Sequence, residues 1–276
     1  MSVDKDLWPL HARQWALLGP PLRPSPEDTD VVRRAVAGWH AEHPGMAARA
    51  LVLGVTPELA VLPWPPASTV LAVDRSEAMV GALWAGAGEV AAASAVTGDW
   101  RALPCEDGSV DVVVGDACLT PLGYPDDYRA IKSEVRRVLA HDGRFVMRVF
   151  VPPAAPESLA GIAEDLHAGR IAGFHAFKWR LVTAVQFASE GGASLAAVWD
   201  AWHAMCPDPA ALAERTGWSP DVIATIDAYR GTATVYSFPT LAELRALMDE
   251  SFTELACHVP SYELGERCPT LVWRAR

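Results

Sequence analysis

The sequence predicts an open α/β sheet covered by helices on both faces, and three observations point to it. Short, continuously apolar, β-rich runs recur between residues 50 and 150. Helical stretches separate them. Acidic residues stand at or just after the ends of several runs, at Asp74, Asp99 and Asp116. A strand buried on both faces has no reason to alternate apolar with polar side chains, so uninterrupted runs separated by helices signal a parallel sheet. At 276 residues the chain has room for one such domain and an elaboration of it.

Taken in order, the stretch before residue 48 reads as a helical cap. It holds a tryptophan-bearing helix, a stiff link through Pro20, Pro21, Pro24 and Pro26, and a second helix after Asp28. Residues 51–54 form the first buried run, 69–74 the second, 95–99 a weaker third, 110–115 the fourth and 144–150 the fifth. Between the last two, Ile131, Val135, Val138 and Leu139 lie at helical spacing, and His141-Asp142-Gly143 stops that crossover helix with Gly143 as a left-handed cap. Residues 152–239 exceed what a strand-to-strand connection requires. Helical runs around 157–167, 177–187, 194–205 and 219–229 fill them, broken at Gly191-Gly192, Pro207, Pro209 and Gly217. Thr240 and Glu243 make a capping box that opens a helix through Met248, and 252–259 and 270–273 read as two closing strands.

Composition removes several classes of function. A net charge of −11 and a pI near 5.1 oppose a phosphate-tracking surface, so no nucleic-acid partner is expected. Cys105, Cys118, Cys206, Cys257 and Cys268 are odd in number and scattered, which indicates neither a disulfide framework nor a metal site. The opening Met-Ser-Val-Asp-Lys-Asp lacks a secretory pattern, and no apolar run reaches the ~20 residues of a membrane span. A cytoplasmic chain with no membrane partner is expected.

Ligands of open α/β sheets bind beyond the carboxyl ends of the strands. After the first strand, Gly54 permits close backbone approach, Thr56 can cap a helix and Pro57 suits its first position, with Glu58 in the first turn. A well-capped short helix explains the same residues. Asp74, followed by Arg75, stands where a carboxylate accepts from a ribose diol; the other reading makes it a helix N-cap, although Ser76 can do that work. Asp99-Trp100 offers an acceptor for an exocyclic adenine amine beside an aromatic face, and Gly115-Asp116 borders the same crevice. No G-x-G-x-x-G turn cradles a pyrophosphate, and no G-x-S-x-G elbow is present.

In order and spacing these pieces resemble the class I S-adenosylmethionine-dependent methyltransferases, over residues 50–151 and 240–276. The resemblance is carried by LVLGVTPEL at 51–59, VLAVDRSEAM at 70–79, GDWRALP at 98–104, SVDVVVGD at 109–116 and EVRRVLAHDGRFV at 134–146. It implies a Rossmann-like, seven-stranded sheet whose last strand runs antiparallel between its neighbours, with helices on both faces and a helical insertion between strands five and six. It further implies S-adenosylmethionine as cofactor, Gly54 under its methionine part, Asp74 on the ribose hydroxyls, Asp99 at adenine and Gly115-Asp116 at the amino acid end. The domains expected are a cap over 1–47, a cofactor-binding core over 48–151 and 240–276, and a substrate cap over 152–239. The sequence departs from the family where Val52 replaces an acidic residue and Thr56 and Glu58 replace glycines. A binding or regulatory protein of the same fold is therefore the alternative to a small-molecule methyltransferase.

Methyl transfer from a sulfonium needs alignment and exclusion of water more than a dedicated base. On the acceptor side the candidates are Tyr124, Tyr128, His175, Lys178 and Arg180, with His203 further along. Trp199, Trp202, His203 and Cys206 share one helix face, either a packing stripe or a pocket wall. In the N-terminal cap, Trp15 and Arg23 are candidates for covering the cofactor and pairing with its carboxylate; the other reading has Trp15 pack the cap onto the sheet. With Val52 apolar, Glu58 and backbone carbonyls near Gly54 and Gly115 are expected to answer the cofactor's ammonium in part; the competing reading makes Glu58 only a favourable charge at a helix N-terminus.

Overall fold

The computed structural model describes residues 7–84, 92–189 and 191–276; the opening six residues, read above for a leader, lie outside them. In chain order the strands are β1 Arg49–Leu53, β2 Thr69–Asp74, β3 Ala92–Thr97, β4 Val110–Asp116 and β5 Leu139–Arg148. They continue with β6 Ala193–Ser194, β7 Val235–Tyr236, β8 Phe252–His258 and β9 Thr270–Ala275. Seven of them form one sheet in the order β3-β2-β1-β4-β5-β9-β8, while β6 and β7 pair separately. β1 to β5 run parallel, and β9 is antiparallel to both β5 and β8. The strand order reverses between β1 and β4, so connections diverge there to opposite faces and open a crevice at the carboxyl ends.

The helices are α1 Leu7–Gln14, α2 Pro26–Glu42, α3 Pro57–Ala60, α4 Glu77–Leu83 and α5 Asp126–Val138, then α6 Leu159–His167, α7 Phe174–Phe187, α8 Leu195–Met205, α9 Pro209–Thr216, α10 Pro220–Ala224 and α11 Leu241–Met248. Alternation along the strands divides the core. Leu51, Leu53, Val113 and Phe145 face α5, where Ile131, Val135 and Val138 cover them. Val52, Val112 and Val146 face the opposite way and pack with Val32, Val36 and Trp39 of α2. Each such side chain contributes about 1.5–3 kcal/mol on burial. A third cluster, built on Phe177, Trp179, Val198, Trp202 and Ile226, joins the helices after β5 to Phe150 at the end of that strand.

Local chemistry moves several boundaries from where the pattern puts them. The left-handed residue after α5 is Asp142, at φ 63°, not Gly143. Gly143 is needed for room instead, since a Cβ there would stand 3.0 Å from the carbonyl oxygens of Ala140 and Asp111. The second cap helix begins before Asp28. Ser25 is its N-cap, Pro26 its first residue, and the Asp28 carboxylate accepts back from the Ser25 backbone at 2.7 Å. Pro209 opens a helix rather than breaking one, because the Asp208 carboxylate caps Ala210 and Ala211 and proline fits the first helical position. Thr56 precedes α3 without making a side-chain cap.

Arg148 and Asp116 end β5 and β4 as register partners and are both buried. The guanidinium engages both Asp116 oxygens, donates to Pro21 O at 2.7 Å and reaches Tyr262 Oη at 3.2 Å. Removing one member of a buried pair strands the other charge, so Arg148→Ala should destabilise the fold by about 3–5 kcal/mol in urea denaturation. Arg148→Ala with Asp116→Ala should recover part of that loss.

Candidate active site

A cleft with a cavity of about 160 Å³ lies beyond the carboxyl ends of β1, β2 and β4. Its floor begins at Gly54, whose φ of +92° only glycine adopts without strain. A Cβ there would meet Asp74 Oδ2 at 3.7 Å and the Trp100 ring at 4.0 Å, so glycine keeps the space between them open. Trp100 is fixed by donating its indole N–H to Val73 O at 2.6 Å. Asp74 Oδ1 accepts from Ser76 N at 2.8 Å, while Ser76 Oγ caps α4 through Met79 N at 3.3 Å. The capping therefore belongs to Ser76. Asp74 Oδ2 has no hydrogen-bond partner among the described residues, and burial pushes this carboxyl up to about 6. Thr56, Arg75, Asp116 and Cys118 complete this wall. Burial foremost, and then the charge of Asp116, raise the Cys118 thiol far above its ordinary value, which leaves it a poor nucleophile.

The facing wall comes from the N-terminal residues and from the segment after β5. Trp8, His11 and Trp15 contribute from the first, and Lys178, Tyr229 and Tyr236 from the second. Trp15 Nε1 is buried without a hydrogen-bond partner among the described residues. His11 stacks near Tyr229 at 6.3 Å between centroids, and burial, with the neighbouring Lys178 charge, lowers it to about 3. It is a neutral imidazole at physiological pH. Lys178 donates to Thr225 Oγ1 at 3.1 Å and lies 5.3 Å from the Tyr229 ring centroid. Burial lowers its ammonium to about 7.

Residues 52–147, about a third of the chain, match the family model of the methyltransferase domain. That stretch is a methyltransferase domain. Among curated proteins, none matches it. Solved structures of similar fold include magnesium protoporphyrin IX methyltransferase from Synechocystis PCC 6803 with bound S-adenosylhomocysteine, at 14% identity and TM-score 0.51, over 96% of this chain and 93% of that one. They also include the N-methyltransferase NodS from Bradyrhizobium japonicum WM9 with S-adenosylhomocysteine, at 12% identity and TM-score 0.50, over 99% of both chains. A protein from Rhodobacter sphaeroides, provisionally described as a zinc-dependent alcohol dehydrogenase, is similar at 13% identity and TM-score 0.59, over 100% of this chain and 99% of that one. At these identities the likeness is one of fold. Among the described residues no group of His, Cys, Asp and Glu is placed to hold a metal ion.

Not every residue singled out by sequence reaches the cleft. Asp99 is half-exposed, and Arg101 takes both its oxygens, so its carboxylate is turned to a neighbour two residues on. Glu58 pairs with Arg23 instead of lining the cleft, and Arg23 in turn lies 5.4 Å from the Trp15 ring centroid. Their pairing braces Trp15 from behind. Gly115 sits inside β4, where a Cβ would strike Met147, and only its neighbour Asp116 lines the cleft. Tyr128 is buried with its hydroxyl donating to Ser237 O, and Tyr124 packs edge-on against it, both away from the cleft.

His175 donates to Leu17 O at 2.9 Å and anchors the N-terminal segment, while Arg180 is tied to Glu157 and Asp165. The helical stripe splits: Trp202 and Cys206 are core, and Trp199 stacks with His203 at 3.7 Å outside it. Sequence reasoning missed Trp8 and His11, although Trp8, His11 and Trp15 recur at i, i+3 and i+7. It also missed Tyr229 and Tyr236, which the folding of the long segment alone brings in.

Protonation of Asp74 competes with its accepting hydrogen bonds. Affinity for S-adenosylhomocysteine should therefore fall as pH drops through about 6. Calorimetric titrations from pH 8 to 5 should show this fall in the native protein and a flatter profile in Asp74→Asn.

Proposed function

We propose that this chain transfers a methyl group from S-adenosylmethionine to a small-molecule acceptor enclosed between the sheet and the two caps. The observation that carries the reading is the joining, in one cleft, of Gly54, the free Asp74 oxygen and Trp100 with a largely aromatic wall. The first three fit a nucleoside: an acceptor for a diol, an aromatic side chain and a glycine that leaves room. The unpartnered Trp15 Nε1 is a donor ready for a polar group of the same ligand. When bound, the cofactor supplies an electrophilic methyl group on a sulfonium. The chain's part is to align the acceptor and exclude water, for which Trp8, Trp15 and Tyr229 are suited. His11 on the same wall is lowered to about 3 and is a weak base, so the reading asks alignment rather than a dedicated base of this cleft. The division into a cofactor core with two substrate-covering caps follows from the same reading.

A second reading, cofactor binding without transfer, is favoured by the acidic groups. Both Asp116 oxygens are engaged by Arg148, and Glu58, whose Oε1 pairs with Arg23 and whose Oε2 is buried without a partner among the described residues, does not line the cleft, so neither offers the cleft a free carboxylate for an incoming ammonium. The two readings separate on product: transfer yields S-adenosylhomocysteine in the presence of an acceptor library, and binding alone does not. On either reading Asp74→Ala should weaken cofactor affinity about tenfold to a hundredfold, the equivalent of about 1.5–3 kcal/mol for a charged hydrogen bond. Unchanged affinity in calorimetry, with the fold intact, would refute the role given to Asp74.

A further inference from the structure

Four Lys or Arg side chains are buried among the described residues: Arg144, Arg148, Lys178 and Arg267. Each arginine has a carboxylate partner, respectively Glu42, Asp116 and Glu157. Lys178 has none. Only 3% of it is exposed, and its one hydrogen bond goes to a neutral hydroxyl, Thr225 Oγ1. That hydroxyl spends its own proton on Val222 O at 2.7 Å, so it only accepts from Lys178. An ammonium has three donors, and two remain unused. A buried, unpaired cation costs stability unless something answers it. Since Lys178 lines the cleft, a ligand can.

We propose that the acceptor is a flat aromatic carboxylic acid whose carboxylate pairs with Lys178 while its ring lies among the aromatic side chains of the cap wall. The inference rests on the methyltransferase reading for the word acceptor, and on the cleft alone for the ligand's chemistry. A carboxylate has two oxygens for the two unused donors, and the Tyr229 ring beside the ammonium, with Trp8 across the same wall, suits a planar body. Lys178 is then a specificity-determining residue, kept at a cost to the ligand-free fold. Burial of the ammonium, which brings it near neutrality when empty, is relieved once the carboxylate arrives.

The test is a thermal-shift screen of benzoic, hydroxybenzoic, aminobenzoic, cinnamic and indole carboxylic acids, each beside its own primary amide, with and without saturating S-adenosylhomocysteine. The best acid is then titrated by calorimetry into the native protein, Lys178→Met and Lys178→Gln. Acids, and not their amides, should raise the melting temperature. Both variants should bind the best acid about tenfold or more weakly, keep native affinity for S-adenosylhomocysteine, and melt no lower than the native protein when empty. Equal shifts by amides, no shift by any acid, or undiminished acid binding in both variants would overturn the proposal. A lower melting temperature of both empty variants would also overturn it, by making Lys178 structural. Weakened S-adenosylhomocysteine binding would overturn it as well, by assigning Lys178 to the cofactor's own carboxylate. If the native protein does not bind S-adenosylhomocysteine at all, the methyltransferase reading fails, while the acid-against-amide comparison without it still decides the ligand class.

Discussion

The buried pair between Asp116 and Arg148 is the constraint on which the rest of the cleft depends. It locks the ends of β4 and β5 in register at the edge of the crevice, and the same guanidinium donates to Pro21 O and to Tyr262 Oη. Tyr262 also reaches Asp28, which closes the capping box of α2 with Ser25. One cation thus ties the central sheet to the N-terminal residues and to the loop before β9. Burial opposes charge on both partners, but Asp116 holds Arg148 firmly protonated, and their closeness is what makes the pair tolerable. The consequence for chemistry is that Asp116 lines the cleft as half of an ion pair and not as a free carboxylate.

Much of the sheet was legible because its signal is short-range. Continuous apolar runs at 51–54, 69–74 and 110–115 have a single good fate, burial on both faces, and the residues between them set the helices. The insertion was legible as helical by the same spacing, yet its details were not. Pro209 reads as a breaker until Asp208 is seen capping the next turn, and β6 with β7 is only two residues long on each side. Such elements are decided by a partner distant in the chain or by one side chain's choice of hydrogen bond. No periodicity records either.

The site divides along the same line. Gly54 and Asp74 follow their strands directly, so their approach to the cleft was readable from position. Asp99 follows β3 just as directly and is drawn off by Arg101, a local bond that a carboxylate and an arginine two residues apart make at little cost in chain entropy. Glu58 was drawn off by Arg23, thirty-five residues earlier, through an arrangement of the proline-rich link that no local rule specifies. The aromatic wall was the least legible part. Tyr229 and Tyr236 lie at the end of a helical stretch and in a two-residue strand, with nothing in their surroundings to separate them from ordinary core residues.

One physical cause, exclusion of water, runs through the ionisable groups that remain. Asp74 is raised, Lys178 and His11 are lowered, and burial is the leading reason in all three. The cleft therefore weakens its own charges when empty. Groups held this way gain most from a ligand that brings the complementary charge or donor, because an interaction formed away from water is worth more than the same one at the surface. Asp74 and Lys178 belong to opposite walls, the first next to Gly54 and Trp100 and the second beside Tyr229. On the proposed function, a ligand pair that satisfies both joins the two walls, and each wall then holds the other's ligand in a water-poor space. In that reading, satisfying both walls is also what aligns the two ligands and keeps water from between them.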